Sequence, residues 1–142
     1  MESIYIGKEV RVSIEDKVGA LAEVTDYISG ACVNIENICV NVIAGEAVFY
    51  FVTDNNTKVK SALESIGYKT GERQVVVLSL ENRPGALLKV ARKLKEENID
   101  IKYLYGTTSG SGQKTTIVFS SDNNEKAVEV LKFILSLSDW AK

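Results

Sequence analysis

Along this chain the spacing of apolar side chains switches repeatedly between a period of two and a helical period. Val10, Val12 and Ile14 alternate with Arg11, Ser13 and Glu15, the mark of a strand with one buried face. From Gly19 to Gly30 the apolar positions Leu21, Val24 and Ile28 fall at i, i+3 and i+7, the stripe of an amphipathic helix. Gly30 weakens the helix end. Ile35 to Ile43 is β-branched and alternating and reads as a second strand, Ala44-Gly45-Glu46 as a turn, and Ala47 to Thr53 as a third strand. Asp54-Asn55-Asn56 offers N-cap residue types ahead of the stripe Val59, Ala62, Leu63, Ile66. Gly67 stops that second helix, and Tyr68-Lys69-Thr70 is a short fourth strand. The expected order is β-α-β-β-α-β.

The same order then recurs. Shifted by 66 residues, Glu9-Val10-Arg11-Val12-Ser13-Ile14-Glu15 lies on Val75-Val76-Val77-Leu78-Ser79-Leu80-Glu81, and Asp16-Lys17-Val18-Gly19-Ala20-Leu21 on Asn82-Arg83-Pro84-Gly85-Ala86-Leu87. Asn34-Ile35 falls on Asp100-Ile101. A two-residue insertion in the second copy moves the offset to 68, after which Phe51-Val52-Thr53-Asp54-Asn55-Asn56 meets Phe119-Ser120-Ser121-Asp122-Asn123-Asn124. A fixed internal period marks a repeated structural unit. The boundary falls near Gly71, giving domains 1–71 and 72–142. In the second copy, strands are expected at Gln74–Glu81, Ile99–Thr107 and Gln113–Ser120, and helices at Gly85–Glu97 and Asn124–Ser136. Ser109-Gly110-Ser111-Gly112 is a turn. Leu137-Ser138-Asp139-Trp140 matches a fourth strand poorly.

This arrangement is the split βαβ, ferredoxin-like one. The fold class is α+β: two βαββαβ units, each an antiparallel sheet with its helices packed on one face. The exposed face of such a sheet should alternate with polar residues, yet Val48-Phe49-Tyr50-Phe51-Val52 and Val75-Val76-Val77-Leu78 are apolar on both sets. Strands like these are covered on both faces. Units of about seventy residues have marginal cores, so the copies are expected to join and the chain to form a homodimer.

Composition narrows the chemistry. The chain has 142 residues, no His and two Cys. Without His there is no Ser-His-Asp triad, Cys-His pair or His-ligated zinc. Cys32 and Cys39 fit no redox or metal motif and read as buried, reduced thiols. The net charge of −2, with basic residues spread along the chain, argues against a nucleic-acid surface. No apolar run reaches the roughly twenty residues of a membrane span. Met1 to Lys8 does not read as a signal peptide, so the expected compartment is the cytoplasm.

Glu15-Asp16-Lys17-Val18-Gly19-Ala20-Leu21-Ala22-Glu23-Val24 followed by Val33-Asn34-Ile35 resembles the signature of the ACT domain. Glu81-Asn82-Arg83-Pro84-Gly85-Ala86-Leu87-Leu88-Lys89-Val90 followed by Ile99-Asp100-Ile101 resembles it more closely. The resemblance implies a non-catalytic regulator or sensor that binds an amino acid or similar small ligand, with no metal and no cofactor. It also permits a subunit docking onto a partner enzyme, as small subunits of acetolactate synthase do. In such domains the ligand lies at an interface between units, near the loop from first strand to first helix. The implied ligand-binding residues are Asp16, Val18, Gly19, Ala20 and Leu21 with Asn34 and Ile35. In the second copy they are Asn82, Pro84, Gly85, Ala86 and Leu87 with Asp100 and Ile101.

The loop's physics agrees. A glycine permits close backbone approach, and a helix start offers unpaired N–H groups to a carboxylate. Asn34 and Asp100 begin the second strand of each copy, where sheet geometry could bring them beside the same loop to meet an ammonium or amide. Tight turning by the glycines and strand entry by Asn34 is the structural alternative. Val18 stands where the pattern has Pro, and Asp100 where it has Asn. A carboxylate at Asp100 repels a ligand carboxylate, so the first copy is expected to hold the better site. Tyr103 and Tyr105 read as sheet packing, and Lys89, Arg92 and Lys93 as a solvated helix face.

Overall fold

The computed structural model describes residues 3–108, 110 and 112–135. In chain order the elements are β1 (Ser3–Glu15), α1 (Ala20–Gly30), β2 (Ile35–Ile43), β3 (Glu46–Thr53), α2 (Asn56–Glu64), β4 (Thr70–Glu81), α3 (Ala86–Glu96), β5 (Ile101–Thr108), β6 (Lys114–Ser121) and α4 (Asn124–Leu135). The expected α+β class and the repeated order are present. They fall into two compact units, Lys8–Arg73 and Met1–Gly7 with Gln74–Lys142. No helix among the described residues is long and apolar enough to cross a membrane.

In the Lys8–Arg73 unit the strands lie in the order β2-β3-β1-β4. Antiparallel pairing sets Val10 opposite Phe51, Val12 opposite Phe49 and Ile14 opposite Ala47. These six point the same way and pack with Val24 and Ile28 of α1 and Val59 and Leu63 of α2. Burying such an apolar face stabilises the unit by about 25 cal/mol per Å² removed from water. The alternate set is buried too: Val48 and Val52 are nearly closed to solvent, as their unbroken apolar run requires. So is Glu9, whose carboxylate accepts from Arg73 Nε at 3.1 Å. The Arg73 guanidinium lies 4.8 Å from the Tyr50 ring centroid, so the buried charge has a cation held in place by an aromatic face.

In the other unit the order is β1-β4-β6-β5. Val76 faces Phe119 and Leu78 faces Ile117, packed with Val90 and Leu94 of α3 and Leu131 of α4. The fourth-strand place beside β4 is taken by Ser3–Gly7 of β1, with Ile4 in the core. Residues 3–7 belong with the second repeat in space although they precede the first in sequence. The tail read as a poor fourth strand lies outside the described residues, as do Ser136, Ser109 and Ser111. Tyr68 and Lys69 are not in a strand; the strand starts at Thr70 and runs to Glu81.

Helix α1 ends at Gly30, as expected, and the left-handed residue that follows is Cys32, at φ 57°; Asn98 holds the same place after α3, also at φ 57°. One local expectation is corrected: neither cysteine is fully buried, Cys32 being exposed and Cys39 half-buried. Val33 takes the core position after α1 and leaves Cys32 on the turn outside it. Burial, and then the neighbouring Glu9 charge, push the Cys39 thiol up.

Candidate functional site

The strand-to-helix loops have the same geometry in both repeats. Gly19 is the N-cap of α1 with φ 88°, and Gly85 the N-cap of α3 with φ 85°. A left-handed N-cap explains glycine at both places. A Cβ at either would meet nothing within 4 Å, so backbone conformation and not crowding demands it here. No side chain caps either helix. Ala20 N–H donates to Lys17 O at 3.1 Å and Ala86 N–H to Arg83 O at 3.2 Å. The next amides of each helix, at Leu21 and Leu87, begin a first turn that has no acceptor within the helix. Ala20 and Ala86 are buried, Leu21 and Leu87 are about half exposed, and Val18 is fully exposed.

Asn34 and Asp100 lie elsewhere. In β2 and β3, Ile35 pairs with Thr53 at one end and Ile43 with Glu46 at the other. The Asp16 loop sits at the second end, where Asp16 N–H donates to Gly45 O at 3.2 Å. The second repeat is alike: Ile101 faces Ser121, whereas Glu81 and Thr108 lie beside Lys114 and Thr115. Seven strand residues at about 3.3 Å each put roughly 23 Å between them. Within one unit, therefore, Asn34 with Ile35 and Asp100 with Ile101 do not share a site with the glycine loop. The expectation that sheet geometry brings them beside it is corrected.

What those residues touch is architectural. Asn34 N–H donates to Asp54 Oδ1 at 3.0 Å, and Asp100 N–H to Asp122 Oδ1 at 3.1 Å. Asn55 and Asn123 accept from Lys58 N–H and Lys126 N–H, each at 3.1 Å. Asn56 and Asn124 donate to the backbone carbonyls of Lys8 and Gln74. The repeated Asp-Asn-Asn thus closes the strand entry, caps a helix and ties down a neighbouring strand. The Asp100 carboxylate is met by Lys102 Nζ at 2.8 Å, so it does not face a ligand carboxylate unpaired.

An open cavity of about 280 Å³ lies at the second-repeat loop. Leu80, Ala86, Leu87 and Ile117 give it apolar walls, with Gly106, Thr107 and Thr115 beside them. Glu81, Asn82 and Arg83 form its polar lip. Asn82 is fixed to the β5–β6 turn: its N–H donates to Gln113 O at 2.6 Å, its Nδ2 to Gly110 O at 2.9 Å, and its carbonyl accepts from Gly112 N–H at 2.8 Å. Arg83 Nε stands 3.9 Å from Glu81 Oε2. The lip therefore places a cation and an anion side by side at the start of a helix, over an apolar floor.

The floor depends on one glycine. A Cβ at Gly106 would come within 2.6 Å of Ile117 Cδ1 and 3.1 Å of Thr116 O. At the matching register in the first repeat, Val40 faces Phe49, where the second has Gly106 facing Ile117. The first-repeat cation is also engaged: Lys17 Nζ is 3.0 Å from Glu23 Oε2, and Tyr68 donates to Glu23 Oε1 at 2.7 Å. The Tyr68 hydroxyl, and next Lys17, hold the Glu23 carboxyl below its usual range. That carboxylate in turn pushes Tyr68 up to about 12.

Asn82, Ala86 and Leu87 of the expected set line the cavity, flanking Pro84 and Gly85 in the same loop. Leu80, Glu81 and Arg83 were not in that set, nor were Gly106, Thr107, Thr115 and Ile117. The signal was present for Gly106, a glycine interrupting a strand of bulky residues, which marks a bulge or a close approach. Among the described residues no group of three or more acidic or Cys side chains is placed to hold a metal.

Comparison with known proteins supplies the remaining finding. Among curated proteins no relative matches the chain. Protein BT0572 from Bacteroides thetaiotaomicron is 27% identical, with 98% of each chain covered and a TM-score of 0.86. The regulatory subunit of aspartate kinase from Thermus thermophilus shares the fold at 14% identity, with 93% of this chain and 95% of that one covered and a TM-score of 0.67. The aspartokinase alpha and beta subunits do so at 22% identity, over 94% and 97%, with a TM-score of 0.62. The family description "ACT domain pair" matches residues 6–138, nearly the whole length over which the duplicated glycine loops and βαββαβ units extend. This chain belongs to the ACT domain pair family.

Proposed function

We propose that this ACT domain pair is a non-catalytic regulator that senses an amino acid, and that the second-repeat cavity is where the amino acid binds. The observation that carries the reading is the lip of that cavity. Arg83, with the first amides of α3, suits a carboxylate; Glu81 suits an ammonium; and an apolar floor lies beneath. The zwitterion replaces the long Glu81–Arg83 pair. Pro84 and Gly85 shape the loop, while Asn34 and Asp100 contribute to it only if a second copy brings its opposite sheet end alongside.

A ligand that holds one arrangement of this strand-to-helix loop better than another shifts the population toward it. Proteins sharing the fold at this length include regulatory subunits of aspartate kinase, which supports a role exerted on a partner enzyme. The exposed Ile38, Val40, Val42 and Ile43 on β2 favour assembly through that strand. β2 pairs with β3 alone and carries no Lys or Pro to blunt its edge. A homodimer is the reading for that surface, and sedimentation equilibrium showing only a 15.6 kDa species would contradict it.

A thermal-shift screen of the full chain against the common amino acids tests the sensor reading. A ligand at a hundred times its Kd stabilises by about 2.7 kcal/mol, a shift of several degrees. The same ligand should leave Arg83→Gln unshifted. A ligand that shifts both proteins equally binds somewhere else.

A further inference from the structure

We propose that the cavity selects an α-amino acid with an uncharged aliphatic side chain of about four carbons, and that Gly106 and Ile117 set this limit. The proposal rests on the reading that an amino acid binds there, and it names which class. Volume comes first. An apolar cavity of about 150 Å³ takes a benzene-sized molecule, so about 280 Å³ takes roughly ten non-hydrogen atoms. The ammonium, α-carbon and carboxylate of any amino acid use half of these at the lip. What remains lets the walls enclose a valine- or leucine-sized side chain, whereas an indole would extend past them into solvent.

Chemistry comes second. The floor is Leu80, Ala86 and Ile117, all buried and apolar. Thr115 borders it with an Oγ1 that is closed to solvent and has no hydrogen-bond partner, a hydroxyl that carries no charge to pair with a charged side chain. No ionisable group of the cavity lies away from the lip. A charged ligand side chain would therefore be buried unpaired, which is costly.

Gly106 matters because Ile117 fills the place its side chain would take, so the glycine fixes where the Ile117 wall stands. Any Cβ there forces Ile117 Cδ1 to move, and with it a wall of the cavity. The first repeat, with Val40 and Phe49 at these positions, lacks the same allowance.

Isothermal titration of the full chain with glycine, L-alanine, L-valine, L-leucine, L-aspartate and L-lysine tests this. Each methylene that fits a pocket changes affinity about tenfold or more. Affinity should therefore climb from glycine to valine or leucine, with aspartate and lysine at least about a hundredfold weaker than the best probe. Ile117→Val, which removes one methylene from the wall and spares the fold, should raise the leucine-to-valine preference about tenfold. Aspartate or lysine binding as tightly as valine, and lost in Arg83→Gln, would overturn the selection and leave the sensor function standing. An unchanged preference in Ile117→Val would overturn the role of the floor. No binding by any of the six probes would overturn the selection, and the absence of a shift with every common amino acid would overturn the function itself.

Discussion

Shortening Ile4 to alanine should weaken the second repeat and spare the first. Ile4 is only 6% exposed and packs in the core that holds Val76, Leu78 and Phe119. Replacing a buried isoleucine by alanine costs about 2–5 kcal/mol. Ile4 sits in the short Ser3–Gly7 portion at the margin of its unit, where collapse is easiest, so about 2–3 kcal/mol is expected. In a unit of under 100 residues each kcal/mol lowers Tm by roughly 4–8 °C, which gives a drop of about 8–24 °C. Hydrogen exchange locates the damage, because amides report the local opening that exposes them. Those of β4 and β6, around Val76 and Phe119, should lose protection roughly thirtyfold or more. Those around Val12 and Phe49 should keep theirs. Leu63→Ala, fully buried in the Lys8–Arg73 unit, should give the reverse pattern. Loss of protection confined to the Lys8–Arg73 unit after Ile4→Ala would refute the assignment of residues 3–7 to the second repeat, and so would no loss at all.

Other outcomes follow from local chemistry. Tyr68 is raised from 10.0 to about 12 by its bond to Glu23. Its stabilising contribution is full below pH 10 and disappears as pH climbs toward 12. The depressed Glu23 contributes above its ordinary value of 4.5 and loses this as pH falls through the lower folded value. An ultraviolet phenolate titration, taken as the difference from Tyr68→Phe, should show a midpoint near 12 that returns toward 10.0 in Glu23→Gln; a midpoint indifferent to Glu23 would contradict the bond. Cys32 holds φ 57° where the second repeat has Asn98. Asparagine tolerates the left-handed region better than most residues, so Cys32→Asn should gain about 0.5–1 kcal/mol. Denaturant unfolding should then show a higher midpoint with an unchanged slope, and a lower midpoint would count against it.

The elements were legible because burial writes its period into the sequence. β2 and the helices α1 to α3 fall within a residue or two of where the apolar spacing puts them. The N-terminal strand was not legible in the same way. Ile4 and Ile6 alternate with polar neighbours, but nothing local says that their pairing partner is β4, more than sixty residues later. Long-range pairing is absent from periodicity, so the fourth-strand place was sought in the tail instead. The glycine loops were readable as turns, and their positive φ explains them. Which side of each sheet Asn34 and Asp100 begin from needed the strand register. The cavity needed it too, since its lining brings Leu80 to Leu87 beside Gly106 and Ile117, residues that no linear motif connects.

The most direct test of the account is methyl-resolved NMR of the full chain titrated with L-valine or L-leucine. Binding in the second-repeat cavity should shift the methyl signals of Ala86, Leu87 and Ile117 first and most, and leave those of Ala20, Leu21 and Val40 near their free positions. Shifts centred on the first-repeat loop, or on the Asp100 end of β5 at Ile99 and Ile101, would contradict it.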